Sequence, residues 1–124
     1  MTVVLDSSFL SDVRQGNDGA VELLERLVRG GEGALVPSVV VAEYLAGSRD
    51  PQADLATLDR AAVLDDFRVS DAQVAAALAR RLFLKGPFPG WIDAFVAGFA
   101  KARGDLRIVT KNARHFPESP ILSY

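Results

Sequence analysis

Cysteine does not occur anywhere in the 124 residues. Its absence removes disulfide staples, thiol nucleophiles and thiolate zinc sites together. It also suits a reducing compartment, so a cytoplasmic location is expected. Histidine is nearly missing too: His115 stands alone, which argues against a zinc centre built on imidazoles. No apolar run approaches the ~20 residues of a membrane span. Met1 leads directly into Val3-Val4-Leu5 with no basic leader, so neither a membrane anchor nor a secretory signal is expected. Apolar residues make up 49% of the chain, which excludes disorder and allows a core without staples. The length suits one domain over residues 1–124.

A strong charge of one sign is also lacking. The net charge is −2, which does not mark a simple polyanion binder. The distribution is uneven, however. Residues 1–79 carry 6 Lys/Arg and 13 Asp/Glu, whereas residues 80–115 carry 8 Lys/Arg against only Asp93 and Asp105. An acidic part beside a basic part in one small chain can set a metal site next to a phosphate-binding surface.

What is present alternates between strand and helix patterns. Thr2 to Leu5 reads as a buried strand, and Asp6-Ser7-Ser8 follows at its carboxyl end, where it can cap a short helix through Phe9, Leu10 and Val13. Gly16 and Asn17 interrupt that helix, residues 18–29 form the next, and Gly30-Gly31 stop it. Ala34-Leu35-Val36 is a second strand, and Pro37-Ser38 open a helix to about Gly47. Pro51 opens another, to about Ala62. A short strand is expected at either Val63-Leu64 or Phe67-Arg68-Val69. Ser70 with Gln73 has capping-box spacing for a helix to about Lys85. Gly86-Pro87-Phe88-Pro89-Gly90 reads as a rigid loop, residues 91–103 as a helix ended by Gly104, and Arg107 to Thr110 as a strand, with an edge strand near Ile121. The alternation predicts an α/β fold with a mostly parallel sheet covered on both faces.

Three carboxylates sit oddly in this pattern. Asp6 falls at the carboxyl end of a parallel strand, where ligands gather in such folds; a helix cap is the plainer explanation. At 100° per residue, Glu43 shares its helix face with Val39, Val40, Ala46 and Gly47, with no Lys or Arg three or four positions away. Asp93 is surrounded by Val96, Ala97 and Ala100 in the first turn of its helix, where the dipole also favours an anion. A carboxylate on an apolar face is costly unless it is paired or holds a metal. Three of them in one pocket would repel without a cation, and oxygen donors favour magnesium or manganese. Past the last strand, Asn112 offers a carbonyl oxygen, and Lys111 and Arg114 can contact phosphates.

Together these segments resemble the PIN-domain nucleases, most closely the toxin type of VapBC toxin–antitoxin pairs. The resemblance rests on Val3-Val4-Leu5-Asp6-Ser7-Ser8, Pro37 through Val41-Ala42-Glu43-Tyr44, Asp93-Ala94-Phe95-Val96-Ala97, and Ile108-Val109-Thr110-Lys111-Asn112 with Phe116. It implies a three-layer α/β/α sandwich and a metal-dependent endoribonuclease using Mg2+, with Mn2+ as substitute. Asp6, Glu43 and Asp93 match the family's metal-binding acids, and Ser8 and Thr110 match supporting positions. Asn112 and His115 stand where many members carry acids, which lowers the local negative charge. The resemblance further implies an RNA substrate steered by Lys111, Arg114, Arg80 and Arg81, a homodimer, and a small antitoxin partner. The helices carrying Leu10, Tyr44, Leu45 and residues 56–58 are expected to offer apolar surface for such partners.

Rival chemistries fit less well. A haloacid dehalogenase-like phosphatase wants an aspartate where Ser8 stands. Gly30-Gly31-Glu32-Gly33 precedes a strand, whereas a dinucleotide fingerprint follows one. A catalytically weak RNA- or protein-binding module on the same fold is the alternative.

Overall fold

The computed structural model describes residues 1–86 and 88–124, with the side chains of residues 83–85 left aside. Pro87, in the expected rigid loop, lies outside the described residues.

Strand β1 (Val3–Leu5) is fully buried on both faces and forms the centre of the sheet. It pairs in parallel with β2 (Ala34–Pro37) on one side and β4 (Arg107–Val109) on the other. Strands β3 (Val63–Asp65) and β5 (Ile121–Leu122) close the two edges, giving the order β3-β2-β1-β4-β5 with every pairing parallel. The third strand is therefore the Val63 alternative. Because the chain builds outward first to one side of β1 and later to the other, the order reverses between β1 and β4. That reversal opens a crevice beyond the carboxyl ends of these two strands, the usual ligand position in open parallel sheets.

Six α-helices among the described residues cover the sheet: α1 (Ser7–Arg14), α2 (Asp18–Arg29), α3 (Ser38–Ala46), α4 (Pro51–Ala61), α5 (Val69–Lys85) and α6 (Trp91–Ala102). The fold is the expected α/β type with a short parallel sheet. Gly16 takes φ +79 between α1 and α2, a backbone that favours glycine, and Asn17 caps α2 by accepting from the Ala20 N–H at 3.0 Å. No described helix is long and apolar enough to cross a membrane.

Three expectations need correction. Helix α5 is not entered through Ser70 and Gln73. Its cap lies two residues earlier, at Arg68, and the reach-back is made by Asp71, whose carboxylate accepts from the Arg68 N–H at 2.9 Å. Asp71 is also buried against Arg103, whose guanidinium donates to both its oxygens at 2.8 and 3.2 Å, so a tertiary ion pair decides where the helix begins. The apolar helix residues read as partner surface are largely core: Leu10, Tyr44 and Leu58 are buried where α1, α3 and α4 pack together. Glu43, expected on an apolar face, is exposed.

Helices α5 and α6 form the most extensive helix pair. At Gly98 the absence of a side chain lets the backbone of Ala75 come near. Arg103 ties the same pair to β3, contacting Asp65 at 3.3 Å while lying 3.4 Å over the Phe99 ring.

Candidate active site

Asp6 occupies the cap position of α1, yet its side chain makes no cap hydrogen bond. Its Oδ2 instead accepts from the Thr110 hydroxyl at 2.8 Å and lies 3.0 Å from the Ser8 hydroxyl. The two hydroxyl oxygens are themselves 3.0 Å apart. The carboxylate is thus buried at the β1–β4 crevice and held by one hydroxyl from the first turn of α1 and one from just past β4. Hydroxyls satisfy a buried acceptor without setting a counter-charge beside it. The network extends into the loop after β4: Ser8 accepts from the Lys111 N–H at 3.1 Å, and Thr110 accepts from the Asn112 N–H at 3.0 Å.

Asp93 reaches this region from the first turn of α6. Its carboxyl is pushed above the usual carboxylate range, first by burial and then by the charge of Asp6, with Glu43 adding in the same direction. His115 opposes the shift, its Nδ1 lying 3.1 Å from Asp93 Oδ2. Glu43 comes from α3 and accepts from the Ser7 hydroxyl. The three acids therefore come from a strand end and two helices and feel one another electrostatically. Among the described residues no three carboxylate or imidazole groups are drawn together into a ready-made metal cluster; hydroxyls and one imidazole hold the acids individually. The donor types, three carboxylates with hydroxyls beside them, suit a hard divalent cation.

The remaining candidates are placed unevenly. Asn112 precedes a 3-10 turn (Ala113–His115) and makes no side-chain cap bond. Lys111 is exposed, with its ammonium 3.5 Å from Asp12. Arg114 is exposed on the turn. Arg80 is exposed on α5, and Arg81 is engaged with Glu118 at 2.7 Å. Glu118, Asp93 and His115 line one narrow cleft between α5, α6 and the C-terminal segment, so Arg81 borders the site across an ion pair. His115 is the residue least foreseen.

A profile for the PIN domain matches residues 3–119. Among solved structures, VapBC2 from Rickettsia felis bound to a promoter DNA fragment is 21% identical, with TM-score 0.79, covering 100% of this chain and 99% of that one. DNA-bound VapBC from Salmonella typhimurium is 23% identical, with TM-score 0.77 and coverage of 100% and 97%. A toxin–antitoxin complex from Klebsiella pneumoniae is 18% identical, with TM-score 0.73 and coverage of 94% and 91%. A search of curated proteins finds no match.

Proposed function

Because the chain belongs to the PIN-domain family, we propose that it is a metal-dependent endoribonuclease and the toxin component of a type II toxin–antitoxin pair. The observation that supports this reading is Asp6 buried at the strand-order reversal under the Ser8 and Thr110 hydroxyls, with Asp93 close enough to Asp6 and Glu43 that their charges, after burial, raise its pKa. Such an arrangement stores repulsion that a cation relieves.

Asp6, Glu43 and Asp93 would hold Mg2+, or Mn2+ in its place, directly or through water. The ion when bound makes water a stronger nucleophile and offsets charge on a phosphate. The chain's own part is positional. Ser8 and Thr110 fix the Asp6 carboxylate. Asn112 contributes an uncharged amide that can orient a ligand or water. Lys111 and Arg114 are exposed and available to an RNA backbone, and Arg80 extends the basic surface along α5. Arg81 joins it only by exchanging Glu118 for a phosphate.

The similarity to VapBC and other toxin–antitoxin complexes supports a small antitoxin partner for this chain, and we propose with it a homodimer in a cytoplasmic setting. A second reading, a weakly catalytic binding module, draws on Asn112 and on the Asp93–His115 contact. One assay separates them: cleavage of a short fluorogenic RNA with Mg2+ or Mn2+, with chelator and an Asp6→Asn, Asp93→Asn double variant as controls. Cleavage lost in both controls supports the nuclease. A folded, inhibitor-free wild type that cuts no better than the double variant overturns it in favour of the binding module.

A further inference from the structure

Beside the carboxylates lies a second cavity, of about 350 Å³, that the proposed cleavage reaction does not use. Its walls come from α1, the start of α2 and the segments that follow β4 and β5; Asp12, Asn17, Thr110, Lys111 and Tyr124 line it. Thr110 belongs to both places, since its hydroxyl donates to Asp6 while its residue walls the cavity. We propose that this cavity is a subsite for one nucleotide of the RNA strand next to the scissile phosphate, selecting a base that carries an amino group. The proposal rests on the nuclease reading for its neighbour but not for its own chemistry.

Asp12 is the selecting group. Its carboxylate is almost wholly buried, with a side chain 12% exposed, and its two oxygens are held unequally. Oδ2 accepts a short bond of 2.6 Å from the Tyr124 hydroxyl, and the Tyr124 ring is braced edge-on against Phe9. Burial and this bond to Asp12 raise the tyrosine's pKa, so it stays a donor. Among the described residues, Oδ1 has the Lys111 ammonium as its one partner, at 3.5 Å, the outer limit of a hydrogen bond, on a side chain 60% exposed. One oxygen is therefore fixed and the other lightly covered. Lys111 can swing to a phosphate, and Oδ1 then accepts an N–H from the base. Guanine is the best fit because its amino group and ring N–H stand side by side and can meet Oδ1 and the lone pair of Oδ2 that the Tyr124 hydroxyl leaves open. Uracil is the worst, since carbonyl oxygens flank its single N–H and would face the carboxylate. The volume suits one nucleotide rather than a duplex segment.

The test is calorimetric titration of the full chain with 5′-GMP and 5′-UMP in chelator, where no cleavage occurs. GMP is expected to bind about ten-fold tighter than UMP, the discrimination typical of one good base contact. Asp12→Asn should abolish the preference, and Lys111→Ala should weaken both nucleotides alike. Should Asp12→Asn misfold, Tyr124→Phe serves instead, because it frees the carboxylate and should erode the preference. Equal binding of the two nucleotides, no binding of either, or a preference intact in Asp12→Asn overturns the subsite, while RNA cleavage with Mn2+ by the same preparation still decides the nuclease reading separately.

Discussion

Replacing Gly98 by alanine tests whether the α5–α6 packing positions the candidate site. A Cβ built there would lie 2.7 Å from both Cβ and N of Ala75 and 2.8 Å from its Cα. Carbon atoms pack at about 3.5–4.0 Å, so the overlap approaches ~1 Å. Two of the three opposing atoms are backbone and Ala75 is fully buried, so no rotamer change relieves it and a helix must move. Alanine favours the helix over glycine by about 0.8–1 kcal/mol, while overpacking costs typically about 1–3 kcal/mol or more. With a backbone overlap this large placing the clash at the upper end of that range, the net expectation is a loss of roughly 1–2 kcal/mol, or about 4–8 °C in Tm for a chain of this size. Since α6 carries Asp93 in its first turn, a shift near ~1 Å should also lower cleavage by up to about 100-fold in protein that remains folded. Scanning calorimetry and the RNA assay read the two effects. Adding Ala75→Gly should restore only part of the stability, because the main chain at position 75 still stands in the way. An unchanged or raised Tm would show that the helices part freely and that Gly98 does not constrain them.

Other perturbations probe other parts. Arg103→Leu leaves the buried Asp71 without its partner and should cost about 3–5 kcal/mol by urea denaturation; Asp71→Asn in the same chain should recover part of it, and full tolerance of Arg103→Leu would refute the pairing argument. Thr110→Val removes the 2.8 Å donor to Asp6 and should destabilise by about 1–3 kcal/mol while lowering Mn2+ affinity measured by calorimetry; unchanged affinity would leave the hydroxyl a purely structural part. Asp93 ties stability to pH. Its folded pKa is raised, so between the ordinary carboxylate value and the raised one the folded state binds more protons. Stability in chelator should therefore fall as pH rises through that window and stay reduced above it. Asp93→Asn should flatten that limb and lose the Tm gain that Mg2+ gives the wild type. Cleavage by the wild type should decline as pH drops through the same window, because a protonated Asp93 cannot hold a cation.

Much of the fold was legible in the chain. Local periodicity marks β1, because a run of apolar residues that includes two β-branched ones suits a strand buried on both sides. Gly16-Asn17 and Gly30-Gly31 mark breaks because backbone freedom and caps are local properties. The alternation of strands with helices announced the parallel sheet. The start of α5 was not legible, because Ser70 and Gln73 offer the spacing of a capping box while Asp71, fixed by a distant arginine, makes the bond. Glu43 was misjudged for a related reason: small apolar neighbours on a helical wheel say nothing of whether another element covers that face, and here the side chain is exposed. His115 carried no local signal of its contact with Asp93, since the two residues lie on segments joined only through β4.

By itself, the sequence determined the element types, the family and the residue types that bear on chemistry: acids after β1 and inside two helices, and bases crowded into residues 80–115. These follow from intrinsic preferences that each short segment carries with it. Only the tertiary structure decided which groups meet. It turned Asp6 from a helix cap into a carboxylate held by two hydroxyls, set Asp93 against Asp6, Glu43 and His115, and enclosed Asp12 between Lys111 and Tyr124. The reason is that desolvation and charge–charge energy depend on distances through space. Those distances were set by the strand order β3-β2-β1-β4-β5, which brings the two ends of the chain to one crevice.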